Sequence, residues 1–200
     1  MREKQTISDM TQGSPAKLII QFMIPMFLGN LFQQFYNVVD SIVAGQFIGV
    51  QALAAIGSTG SLMFFVIGWL NGVTSGFAIM VAQCFGAKKF DRMRHYVAMS
   101  VYLCVIFALV MTVGFTLANE PILRMMNYSE EILPAVKSYM EIIYLGLIVT
   151  IAYNALSAFL RARGDSRSPL YFLMISAGIN VVLDIVLIVS LGMGVEGCAY

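Results

Sequence analysis

LIIQFMIPMFLGNLFQQFYNVVDSIVAGQF, from Leu18 to Phe47, is apolar and longer than the roughly twenty residues that cross a bilayer. Its second half carries Gln33, Gln34, Asn37 and Asp40. Gln33, Asn37 and Asp40 are spaced i, i+4, i+7, so they share one face of a helix. A carboxylate at membrane depth costs on the order of 3 kcal/mol, so it faces a wet or protein-lined interior rather than lipid. Upstream, Pro25 removes a backbone donor and lets the helix bend. The stretch reads as a bendable spanning helix with a buried acid, a moving part that senses an ion.

The rest of the composition agrees. Of 200 residues, 59% are hydrophobic and 12% charged, with a mean hydropathy of +0.81. Soluble domains keep about a quarter of their residues charged, so this is an integral membrane protein. Cys84, Cys104 and Cys198 stand apart without metal-ligand spacing and read as small apolar filler. With no polybasic run and no zinc spacing, nucleic acid is not an expected partner. The N-terminal MREKQTISDMTQGSP is polar, and the apolar segment after it is too long for a signal-peptide core. Residues 1–16 therefore read as a tail, and the first span as uncleaved.

Apolar blocks recur between short polar breaks, giving five complete spans at about 17–46, 52–84, 94–118, 133–160 and 169–191. A sixth begins at Gly194–Tyr200. The fold class is all-α: a polytopic membrane helix bundle, with 17–200 as one transmembrane unit. Because the last segment launches an apolar run, the expectation is an N-terminal portion of something longer.

Orientation follows from the basic residues. Arg2, Lys4 and Lys17 precede the first span, Lys88, Lys89, Arg92 and Arg94 follow the second, and Arg161, Arg163 and Arg167 follow the fourth. Only Arg124 and Lys137 of the 12 basic residues fall at the other breaks, among Glu120, Glu130, Glu131 and Glu141. The basic side is the expected cytoplasmic side, which places the N-terminus inside the cell.

Polar and small residues mark the other spans. In the second, Gly68, Gly72 and Gly76 form a stripe for close helix packing or sliding, and Asn71, Thr74, Ser75 and Gln83 suit a cavity wall. Ser129 before Glu130 and Glu131 is expected to cap the fourth span with its hydroxyl. That span has Tyr139, Tyr144, Tyr153 and Asn154 as polar handles, and Asn154 is deep enough to need a partner. RARGDSRSP reads as a tight turn, with Pro169 opening the fifth span. His95, at the edge of the third span, reads as a solvated interfacial side chain. In the fifth span Asn180 and Asp184 are four apart and share a face with Ser176.

Asp40, Asp184, Asn37, Asn154 and Asn180 form a small oxygen-rich set inside apolar helices. Such oxygens are hard ligands suited to Na⁺ or a proton, not to soft metals. The coupling-ion candidates are therefore Asp40, Asn180, Asp184, Asn154 and Asn37, with Na⁺ at Asp40, Asn180 and Asp184 the one metal considered. No enzymatic cofactor is called for. An intramembrane aspartyl hydrolase also uses two acids, but neither acid here has a neighbouring glycine or other signature that would expose it to substrate. The chain does not read as an enzyme.

FYNVVDSIVAG (Phe35–Gly45) resembles the first-helix signature of the bacterial multidrug and toxic compound extrusion (MATE) transporters. QALAAIGSTGSL (Gln51–Leu62) and AQCFGAKK (Ala82–Lys89) resemble the two ends of that family's second helix. FLRARGDSRSPLY (Phe159–Tyr171), INVVLDIVLI (Ile179–Ile188) and the terminal GMGVEGCAY continue the resemblance in order. It implies twelve helices in two six-helix lobes, with this chain as the N-terminal lobe and the C-terminal lobe absent. It implies H⁺- or Na⁺-coupled export of drugs, often cationic and amphipathic, across the bacterial inner membrane. It gives the coupling acid of the first helix to Asp40, matches Asn154, Asn180 and Asp184 to the same cavity, and puts bending at Pro25. Lipid-linked oligosaccharide flippases of the same superfamily are the alternative; they predict buried Arg or Lys for a pyrophosphate, whereas the buried charges here are acidic. Since parallel-repeat transporters form the substrate path between halves, transport is expected of the two lobes together.

Overall fold

The computed structural model describes residues 13–130 and 132–199. Most of the expected tail, with Arg2 and Lys4, lies outside the described residues, as do Glu131 and Tyr200. Helices α1 (Pro15–Val43), α2 (Val50–Ser58), α3 (Gly60–Gly86), α4 (Phe90–Met125), α5 (Leu133–Ala162) and α6 (Arg167–Asp184) follow in order. Five segments are long and apolar enough to cross a membrane: Pro15–Ile48, Gly60–Gly86, Phe90–Met125, Leu133–Ala162 and Arg167–Ser190. The chain is an all-α, multi-pass membrane bundle.

Two boundaries and one cap depart from the sequence reading. The second span is broken into α2 and α3 at Thr59, where φ is −79° and ψ is −9°. GSTG supplies the reason: the Ser58 hydroxyl donates to the Ala55 carbonyl at 2.9 Å and the Thr59 hydroxyl to that of Ile56 at 2.7 Å. Hydroxyls that bond back to their own helix compete with its ladder. α4 runs 36 residues, because the break that follows it continues as helix through Pro121 to Met125. At about 1.5 Å per residue it overshoots a bilayer core of about 30 Å. α5 starts at Leu133, and the Ser129 hydroxyl makes no capping bond among the described residues; the backbone carbonyl of Ser129 accepts from the N–H groups of Ile132 and Leu133, each at 3.1 Å. Pro134, inside the first turn, presets the helical φ instead.

α3, α4 and α5 form one packed group. Val66, Leu70 and Val81 of α3, Cys104, Ala108 and Met111 of α4, and Met140, Tyr144, Leu147 and Ile151 of α5 make its core. Tyr144, fully buried, stacks on Phe115 with ring centroids 5.2 Å apart. α1 and α6 form a second pair, closest where Gly29 lets Leu173 and Leu170 come within 3.5 and 3.8 Å of a would-be Cβ. The groups join at the end opposite the basic loops. There the continuations of α1 (Ala44–Ile48) and α6 (Ile185–Ser190) widen into π-helix and meet the 3₁₀ turn Gly194–Cys198, which packs on α5. That turn stands where the sixth segment was expected to start. Gly197 fits because a Cβ would lie 3.1 Å from Ile188 Cγ1.

At the basic end a short turn links α5 to α6. Gly164 takes φ +84°, and Asp165 Oδ1 accepts the N–H groups of Arg167 and Ser168 at 3.1 and 3.0 Å. Its Oδ2 accepts the Ser168 hydroxyl at 2.6 Å. The carboxylate thus starts α6 by satisfying donors that the helix leaves open. The tight turn read from RARGDSRSP is present.

Candidate functional site

Asp40 and Asp184 come together. Asp40 sits one turn before α1 becomes π-helix, and Asp184 is the last α-helical residue before the matching change in α6. Each π segment adds a residue to the turn, and such bulges cluster at functional sites. The two carboxyl groups lie near enough to each other to interact. Asp184 is 2% exposed and Asp40 half-buried. Two further elements close the cluster. The Cys198 thiol, on the 3₁₀ turn, lies near Asp40, and Tyr139, buried on α5, lies near both, with Tyr36 in its neighbourhood.

Among the described residues, three buried oxygens on α1 and α6 have no hydrogen-bond partner: Asp40 Oδ1, Asn180 Oδ1 and Asp184 Oδ2. Asn180 stands on α6 one turn before Asp184. Carboxylate and carboxamide oxygens left unpaired in a buried place are what a proton or a hard cation satisfies. Among the described residues, no group of three His, Cys, Asp or Glu side chains could hold a metal ion. The donor set suits H⁺ or Na⁺ and not a thiolate- or imidazole-bound metal.

The other sequence candidates lie differently. Asn37 is exposed, and its amide donates to Gln34 Oε1 of the same helix at 3.3 Å. Asn154 is half-buried and donates to the Thr150 carbonyl at 2.9 Å; it has no hydrogen bond to Asp40, Asn180 or Asp184 among the described residues. Pro25 lies within α1, which runs unbroken from Pro15 to Val43. Gly68, Gly72 and Gly76 are exposed, and a Cβ at any of them meets nothing within 4 Å. The buried face of α3 holds Val66, Leu70 and Thr74, so glycines two residues on lie about 200° round the helix. Among the described residues, the stripe therefore packs on nothing.

Sequence reasoning passed over Cys198 and Tyr36 and gave Tyr139 no address. A thiol read as apolar filler lies near the central acid. The available signal was Tyr139, a phenol deep in an apolar span that needs a polar neighbour.

Comparison with known proteins bears on family and fold. The probable multidrug resistance proteins YoeA and YpnP of Bacillus subtilis are 31% and 30% identical to the chain, over 90% and 96% of its length. The chain spans only 40% and 43% of those relatives. Among solved structures, an outward-facing multidrug resistance MATE family transporter of the MOP superfamily superposes with a TM-score of 0.90 at 26% identity, covering 100% of this chain and 44% of that one. MATE structures in the bent and in the straight conformation match with TM-scores of 0.89 and 0.88, each at 26% identity and over the same shares. These relatives carry the names of resistance proteins and transporters rather than of enzymes. The MatE family model matches residues 25–186, most of the chain, and the chain belongs to the MatE family.

Proposed function

We propose that this bundle is the N-terminal lobe of a cation-coupled exporter of drugs or toxic organic compounds, set in the bacterial inner membrane with its basic loops in the cytoplasm. The observation that carries the reading is the nearness of Asp40 to Asp184, with buried unpaired oxygens on both. Two carboxylates near each other inside a membrane repel, and a shared proton or a bound Na⁺ relieves the repulsion. Loading and unloading the cation changes how strongly α1 is held to α6, and so couples an ion gradient to helix movement. Asp40 is the main acceptor, with Asp184 and Asn180 the second half of the site. Asn154 and Asn37 flank the path rather than close the site.

Bending at Pro25 is part of the same proposal. Its missing N–H leaves the α1 ladder one bond short on the side of Gln21, and similar proteins solved in a bent and in a straight conformation support a fold that takes two shapes. The glycine face of α3 is where the second lobe approaches, with substrates, cationic and amphipathic, passing between the halves.

Everted vesicles holding the full-length transporter test this. Under an imposed H⁺ or Na⁺ gradient, a fluorescent cationic drug is expected to accumulate with one of the two ions, and Asp40→Asn to abolish the driven part. Uptake unchanged by the substitution overturns the assignment of Asp40.

A further inference from the structure

A second site lies at the other end of the bundle, away from the acids. At the basic end, α3, α4 and α5 part around a cavity of about 680 Å³. Phe85, Phe90, Met93, Val97, Leu156 and Phe159 make most of its wall. Two cationic side chains complete it, Arg94 from α4 and Arg163 from the end of α5, both exposed. Neither arginine is paired: among the described residues the ion pairs are those of Glu120 with Arg124 and Lys137, at the opposite end. The nearby acids are accounted for. Asp91, one turn before Arg94, makes no ion pair with it, and Asp165 spends both oxygens on the start of α6. No acidic side chain lines the cavity.

We infer that this cavity binds an anionic phospholipid of the leaflet on the basic side, with its phosphate between Arg94 and Arg163 and an acyl chain in the apolar slot. Charge complementarity selects this occupant. A zwitterionic lipid or an apolar drug fills the slot equally well but leaves two unpaired guanidinium groups beside it, and planar guanidinium donors match phosphate oxygens. The position is also right. Basic pockets between transmembrane helices on the positive side take up anionic headgroups, and the volume is that of an ordinary ligand pocket. Such a lipid bridges α4 and α5 near the loops, so it belongs to the lobe whether or not the acid pair couples an ion.

Native mass spectrometry of the full-length protein in mild detergent, titrated with phosphatidylglycerol or phosphatidylcholine, is the test. Phosphatidylglycerol is expected to be retained about thirtyfold better, the order set by two cations at a membrane surface. Arg94→Gln with Arg163→Gln should bring it down to the phosphatidylcholine level, and Lys88→Gln with Lys89→Gln, outside the cavity wall, should leave it in place. Equal retention of the two lipids by the unaltered protein overturns the inference. So does a preference lost with the lysine pair and kept without the arginines. As a readout that needs no variant, a photoactivatable anionic lipid should label the Phe90–Val97 and Leu156–Arg163 segments; label spread evenly over the lipid face also overturns it.

Discussion

At the residue scale, two buried or half-buried tyrosines differ in what their hydroxyls do. Tyr144 is fully buried, and its hydroxyl has no partner among the described residues while its ring stacks on Phe115. Tyr128 donates to the Ser58 carbonyl at 2.9 Å, across the break between α2 and α3. Removing an unpaired buried hydroxyl is neutral or stabilising, whereas removing a donor leaves a carbonyl wanting. Tyr144→Phe is therefore expected to hold or raise stability, and Tyr128→Phe to lower it by about 1 kcal/mol. Unfolding in mixed micelles of detergent and sodium dodecyl sulfate measures both, and equal losses would contradict this bonding. The same scale marks where the sequence stops being legible. Asp40, Asn180 and Asp184 announce themselves because charge or amide inside an apolar run is costly wherever it lies. Cys198 does not, because a thiol is at home in a core; only the 3₁₀ turn that sets it against Asp40 gives it a role.

At the scale of elements, the five spans and the turn before α6 follow from hydropathy and from Gly164–Asp165. The two π segments do not. They arise in AGQFI and IVLIVS, whose composition suits an α-helix equally well, and widening there depends on what the segments meet. One thing they meet is Gly197. A side chain there would press Ile188 of the second π segment from 3.1 Å, and Met193 Cβ from 3.4 Å. Gly197→Val should cost about 1–3 kcal/mol by overpacking, and it should loosen the joint that holds Cys198 against Asp40. Asp165→Ala, at the other end of α6, should cost about 1 kcal/mol as a lost cap while leaving that joint alone. Alkylation of Cys198 by a membrane-permeant maleimide separates the two: faster in Gly197→Val, unchanged in Asp165→Ala. Equal rates would mean the turn is held by something other than this contact.

At the scale of the whole molecule, the α3 glycines face away from everything in the bundle, although their spacing predicts a close helix neighbour. Both observations hold if the neighbour belongs to the remaining half of relatives that this chain spans to less than half their length. Gly72→Leu tests it, because the side chain meets nothing within the lobe and should leave lobe stability unchanged or slightly raised through helix propensity, worth up to about 1 kcal/mol. In the full-length transporter the same leucine would stand where the other half must come within packing distance. Export should then fall severalfold at unchanged expression, with unfolding of the lobe unmoved. Gly72→Ala should recover most of the rate, since small residues still permit close approach. Full export by the leucine variant would mean that the stripe faces lipid or the open cavity throughout the cycle, and that the two halves meet along another side of the bundle.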